Sequence, residues 1–243
     1  MASEDPLTIV ALYDALLDEF GPQGWWPLLK SDEGGDRVVA YHPGNYDLPE
    51  TPGQVLEVFV GTILAQNVAW KNAEKALLAL DAADLLSIEA LASTPEEELW
   101  PVVRPAMYFR QKAARLKRVG RFFSANPLEE LERRPAGELR KALLEMNGVG
   151  PETADSMLLY GLKRPTFVVD AYTKRILSRL GLIASPNVSY DEVQRAFDAL
   201  PPSVPTFNEY HALLVKLATT CCTRKDPTCK RCPLVGDCGK IGV

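Results

Sequence analysis

The segment that most restricts this chain runs from Leu143 to Asp170 and reads LLEMNGVGPETADSMLLYGLKRPTFVVD. Helical apolar spacing flanks Gly148-Val149-Gly150, and Pro151 stands where a helix begins and a missing N–H costs nothing. The pattern predicts two helices joined by a tight turn, a helix-hairpin-helix. The two glycines open backbone angles closed to other residues, so successive N–H groups at Gly148, Val149 and Gly150 can converge on one phosphate. A single carboxylate, Asp170, follows an apolar run. Taken alone, the glycine turn is equally an ordinary helix end, so the rest of the chain has to decide.

With 243 residues and 47% apolar side chains the chain can bury a core without disulfide staples. The net charge of −5 speaks against a polyanionic partner until its distribution is considered: residues 1–58 are strongly acidic, and the remainder is net basic. Between Pro101 and Phe122 lie Arg104, Arg110, Lys112, Arg115, Lys117, Arg118 and Arg121 with no acid. Such a run is either a solvated helix face or an electrostatic footprint for phosphate. The opening residues MASEDPLTIV lack the basic and apolar regions of a signal peptide, and no apolar run reaches membrane-spanning length. These features predict a soluble cytoplasmic protein with no membrane partner.

The periodicity predicts an all-α fold. Helices are expected over 6–20, 55–65, 71–80, 95–103, 110–124, 136–146, 151–162, 171–181, 189–199 and 206–221, with 55–65 apolar almost all round and therefore central. VVAYH at 38–42 and TFVVD at 166–170 are short and stand alone, which argues against a sheet. The Pro/Gly-rich stretches 43–53 and 201–205 are the linker candidates.

Four of the five cysteines close the chain as Cys222, Cys229, Cys232 and Cys238, separated by six, two and five residues. In an intracellular protein such crowding predicts a metal site rather than disulfides, and spacing alone leaves zinc and iron–sulfur both open. Cys221 diverges from its neighbour on a helix and reads as a packed thiol. Arg224, Lys225, Lys230 and Arg231 lie among the four, placed either for solvent or for a phosphate backbone.

Together the hairpin MNGVGPETA, the segment VVDAYTKRI and the cysteine spacing resemble the endonuclease III branch of the helix-hairpin-helix DNA glycosylase superfamily, from about Gln54 to Cys238. The resemblance implies two all-α parts with an active-site cleft between them: a six-helix barrel with the hairpin at 54–164, and an iron–sulfur domain joining 1–53 to 165–243. It also implies a 4Fe-4S cluster on Cys222, Cys229, Cys232 and Cys238, a monomer, and double-stranded DNA carrying damaged bases as partner, with the protein on the nucleoid when bound. Asp170 takes the place of the catalytic aspartate, whose carboxylate stabilises the oxocarbenium sugar and orients water. Gln66 corresponds to the side chain that fills the gap left by a flipped base, and Tyr108 or Phe109 to the wedge in the opposite strand.

Glu152 departs from the branch, because bifunctional members carry there a lysine whose amine forms a Schiff base. Glutamate at that place, with Trp25-Trp26, LAQNVAWKNA, VRPAMYFRQKAARL and GPETAD, is similar to the 3-methyladenine DNA glycosylases of the branch. The expectation is a monofunctional glycosylase for alkylated purines, whose cationic base stacks on Trp25 and Trp26 with help from Tyr46. Glu152 is a candidate to attract that base or orient water. The alternatives are a pyrimidine-damage or mismatch glycosylase on the same scaffold and a non-catalytic damage-binding iron–sulfur protein.

Overall fold

The computed structural model describes residues 7–243. Pro6, where the sequence places the start of the first helix, lies outside the described residues. In chain order the elements are α1 (Ile9–Phe20), β1 (Leu28–Ser31), β2 (Arg37–Ala40), α2 (Pro52–Ala65), α3 (Trp70–Ala82), α4 (Ile88–Ser93), α5 (Glu96–Val103) and α6 (Phe109–Ala125). They continue with α7 (Leu128–Arg133), α8 (Ala136–Leu144), α9 (Pro151–Ser156), α10 (Ala171–Leu180), α11 (Tyr190–Arg195) and α12 (Val204–Thr220). The chain divides into two compact units. One holds Trp26–Tyr41 and Asp47–Arg164; the other holds the described residues up to Trp25, His42–Tyr46 and Pro165–Val243.

The hairpin unit is organised around α2. Thr51 and Gln54 form a reciprocal capping box at its start with Pro52 in the first turn, and every residue from Val55 to Leu64 is buried. An all-round apolar helix can be stable only with neighbours on every side. Its neighbours are α3, α6, α9, β1 and the π-helical turn Met157–Gly161. Glu57 is the one acid in this buried stretch, and its Oε1 accepts the Leu29 N–H at 2.6 Å. Burial pushes its carboxyl up to about 7, against the opposing pull of the Leu29 bond.

Two sequence expectations about the fold need correction. First, the structure holds a two-stranded antiparallel ribbon, with Leu28 opposite Ala40 and Ser31 opposite Arg37. Its first strand, LLKS, has no polar–apolar alternation, so it carried no strand signal. The turn between the strands is fixed by the Asp32 carboxylate, which accepts the N–H groups of Gly34 and Asp36 at 2.9 Å each. Second, the six-helix barrel and its companion iron–sulfur domain are replaced by two helical units with that small ribbon. Among the described residues the hairpin unit alone carries eight α-helices, α2 to α9. The short helices α4 and α7 were invisible because six residues give fewer than two turns of periodicity.

The 4Fe-4S expectation fails as well. Among the described residues no group of three or more His, Cys, Asp or Glu is placed to hold a metal ion. Cys222, Cys229, Cys232 and Cys238 border a cavity of about 30 Å³ together with Cys221, and all five are free thiols. Their sulfurs meet protein partners: Arg179 donates to Cys222 at 3.3 Å, Cys221 donates to the Arg231 carbonyl at 3.7 Å, and Cys238 to the Arg179 carbonyl at 3.5 Å. Burial pushes the Cys232 thiol up, with the neighbouring Cys221, Cys222 and Cys238 acting in the same direction. Spacing along the chain brings the cysteines to one cavity without forming a group placed to hold a metal ion.

Candidate active site and nucleic-acid interface

Asp170 ends the extended segment after Phe167-Val168-Val169 and is the N-cap of α10. Its Oδ1 accepts the Thr173 N–H at 2.7 Å and the Thr173 hydroxyl at 2.9 Å. These two bonds and the positive end of the α10 dipole hold the carboxylate in one orientation. Its Oδ2 stays on the other side, 3.7 Å from His211 Nε2, with 14% of the Asp170 side chain exposed. Burial by itself would raise the Asp170 pKa, but His211 and the two Thr173 donors outweigh it and the net direction is down. The residue is therefore an anchored, ionised carboxylate with one oxygen left for chemistry.

His211 belongs to a group the sequence reading missed. Helix α12 buries Phe207 to Leu214 without interruption, including Asn208, Glu209 and His211. Asn208 donates to the Trp25 carbonyl at 2.8 Å, and the Trp25 ring stands edge-on to His211 with centroids 5.8 Å apart. Glu209 accepts the Gln23 N–H at 2.6 Å through Oε1 and the Tyr46 hydroxyl at 2.8 Å through Oε2. Burial and that bond raise the Tyr46 pKa, so its proton stays on the phenol. Three buried polar residues within four positions of a helix were a usable signal, since such groups persist only with partners.

The paired tryptophans part company. Trp25 belongs to the unit of Asp170 and Tyr46, while Trp26 belongs to the hairpin unit. There the Trp26 ring is 7% exposed and packs at 5.2 Å centroid distance on both Trp70 and Tyr160. Gly61 makes room for it, because a Cβ there would lie 2.9 Å from the indole nitrogen.

In the hairpin, Gly148 takes φ +92° and Val149 donates to the Met146 carbonyl at 3.0 Å. Gly150 caps α9 with no side-chain acceptor on the first-turn N–H groups. Arg140 grips the fully buried Asp155 carboxylate with two bonds of 2.7 and 3.1 Å, tying α8 to α9 beneath the turn. Gln66 reaches the same turn: its amide donates to the Gly148 carbonyl at 3.0 Å and the Thr153 hydroxyl at 2.9 Å, and its oxygen accepts from Arg115. Glu152 is exposed in the first turn of α9.

The basic run is only partly a surface. Arg104, Arg110 and Arg121 are exposed, but Lys112 and Lys117 are buried and spend their ammonium groups on backbone carbonyls. Met107 and Tyr108 are 53% and 57% exposed and both have left-handed backbones, with φ of 56° and 45°. Phe109 is half-buried, its ring 6.4 Å from Trp100. Arg224, Lys225, Lys230 and Arg231 are all exposed on the cysteine-bearing loop.

Known proteins resemble this chain in sequence and in fold. A Methanocaldococcus jannaschii protein whose name proposes a DNA repair glycosylase is 40% identical over 235 residues, 95% of either chain. A Pyrobaculum aerophilum thymine/uracil-DNA glycosylase is 27% identical over 60% of this chain and 64% of its own. The fold is similar to that of the H. pylori 3-methyladenine DNA glycosylase solved with ethenoadenine, with a TM-score of 0.60 at 24% identity over 67% of this chain and 84% of that one. The family model for HhH-GPD superfamily base excision DNA repair proteins matches residues 60–202. The hairpin, its following aspartate and these likenesses place the chain in the HhH-GPD superfamily of base excision DNA repair proteins.

Proposed function

We propose that this base excision repair glycosylase is monofunctional, hydrolysing the N-glycosidic bond with Asp170 and water, and that its substrates are damaged or mispaired pyrimidines in double-stranded DNA. The observation that carries the reading is the Asp170 carboxylate, fixed through Oδ1 by Thr173 and facing His211 through Oδ2. As the bond between C1′ and the base nitrogen lengthens, its electron pair leaves with the base and positive charge gathers on the sugar. An anchored carboxylate stabilises that charge without reorganising. Water then adds to C1′, giving up its proton through Asp170 to solvent.

The absence of a lyase step follows from Glu152, which has no amine to attack C1′. The two lysines nearest Asp170 in sequence are engaged, Lys163 on the Asp47 carbonyl and Lys174 on the Val188 carbonyl at 2.6 Å. The choice of pyrimidines rests on two points. An alkylated purine is already cationic and leaves readily, whereas a neutral pyrimidine needs the stronger stabilisation that an ionised, doubly held aspartate supplies. In addition, core packing occupies the Trp26 ring, leaving Trp25 of the expected stacking pair. The name of the Pyrobaculum relative agrees with this reading. Glu152 and the fold likeness to the H. pylori enzyme favour alkylated purines as the second reading.

On DNA, we assign the exposed Tyr108 as the wedge, Gln66 as the side chain entering the vacated space, and the Gly148 and Gly150 N–H groups of the hairpin with the exposed bases of the cysteine-bearing loop as phosphate contacts, the Val149 N–H being engaged by the Met146 carbonyl. A panel of duplexes decides the lesion class. Free thymine glycol or uracil released without strand scission, and no 3-methyladenine, is the expected result; release of alkylpurines alone would establish the second reading.

A further inference from the structure

Lys112 lies on the first turns of α6, is 1% exposed, and directs its ammonium group at backbone carbonyls in place of a carboxylate. Its Nζ donates to two carbonyls from separate segments, Leu64 at 2.8 Å and Ala106 at 2.6 Å. Leu64 is in the last turn of α2, two residues before Gln66; Ala106 ends the 3-10 turn Arg104–Ala106, two residues before Tyr108. The Lys112 backbone N–H donates to the Tyr108 carbonyl itself at 3.1 Å. One residue thus bonds to both chain segments that the proposed function sends into the duplex.

Burying an ammonium is costly, and a methionine or leucine would fill the same volume without that cost. The local depression of the Lys112 pKa to about 8, caused first by burial and then by Arg115, shows the cost being borne. What an apolar side chain cannot do is bridge two carbonyls at a fixed separation. We propose that Lys112 is a positioning residue: it sets the spacing between the Gln66 turn and the Met107–Tyr108 turn, so that both enter the duplex together. The inference rests on the insertion roles given to Gln66 and Tyr108 above. It also accounts for the left-handed backbone at Met107 and Tyr108, which a turn tied at both ends can sustain.

The test uses a duplex with a tetrahydrofuran abasic analogue opposite 2-aminopurine, whose fluorescence rises when it is unstacked. Wild type, Lys112→Met and Leu116→Ala are compared at saturating protein, below the melting temperature of each. Leu116 is fully buried on the same helix and serves as a variant that loses stability without touching either carbonyl. The expected result is a fluorescence rise in wild type and Leu116→Ala and a loss of roughly tenfold in Lys112→Met, the scale of a displaced positioning group. Lys112→Gln, which keeps a donor amide too short to span both carbonyls, carries the same expectation if the methionine variant does not fold. An equal rise in wild type and the Lys112 variants overturns the positioning role alone. No rise even in wild type, despite binding, overturns the insertion reading and this inference with it.

Discussion

Replacing His211 with asparagine removes the imidazole that faces Asp170 Oδ2. The two side chains are 3.7 Å apart and only 6% and 14% exposed, so solvent screens them weakly. Were the imidazole protonated, unit charges at this distance would attract by at most about 4 kcal/mol at an effective dielectric of 20, and His211 is among the causes that hold the Asp170 pKa down. Burial acts in the other direction and remains when His211 is gone. The Asp170 pKa in the variant therefore rises, with the Thr173 donors still opposing burial. Single-turnover base release measured from pH 5 to 9 reads this directly. The variant is expected to lose its rate at a higher pH than wild type on the acid side, as Asp170 takes up a proton sooner. Superimposable acid limbs, with DNA binding unchanged in both, would refute the electrostatic role of His211.

Gly148→Ala places a Cβ against the Arg115 guanidinium at φ +92°. The variant is expected to lose about 1 to 2 kcal/mol of stability and to weaken binding to undamaged duplex at fixed salt, measured by urea unfolding and fluorescence anisotropy. Unchanged affinity would remove the hairpin from the interface. Glu57→Gln tests the buried acid of α2. Because its folded pKa is raised to about 7, its contribution to stability is full below its ordinary value and lost as pH rises through about 7. The glutamine variant is thus expected to exceed wild type by roughly 2 to 3 kcal/mol at pH 8 and to match it near pH 4. Equal stability at both pH values would contradict the burial argument.

The parts of this protein that a sequence can disclose are those with a local cause. Gly148, Pro151 and the cap at Asp170 act through their own backbone neighbours, and α2 announces itself by an apolar run too long for one face. Residues whose role depends on distant partners stayed hidden. His211 is 41 positions from Asp170 in the chain, and only the packing of α12 brings its ring to the carboxylate. Trp25 and Trp26 show the same limit, since adjacent indoles belong to different units. Lys112 and Lys117 read as surface bases in the composition of α6 but point at carbonyls in the interior. The ribbon was missed because pairing between LLKS and RVVA is a property of both strands together, and the metal cluster was expected because the cysteine spacing matches that of the resembling family.

The central claim is that Asp170 carries glycosidic-bond cleavage and not merely the capping of α10. An asparagine in its place would still accept the Thr173 N–H and cap the helix but would carry no charge, so Asp170→Asn separates the two roles. Its single-turnover base release from the lesion duplex is the decisive measurement, taken beside its affinity for an abasic-analogue duplex. Excision reduced by at least about a hundredfold with affinity retained is the predicted result. Excision at the wild-type rate would contradict the account.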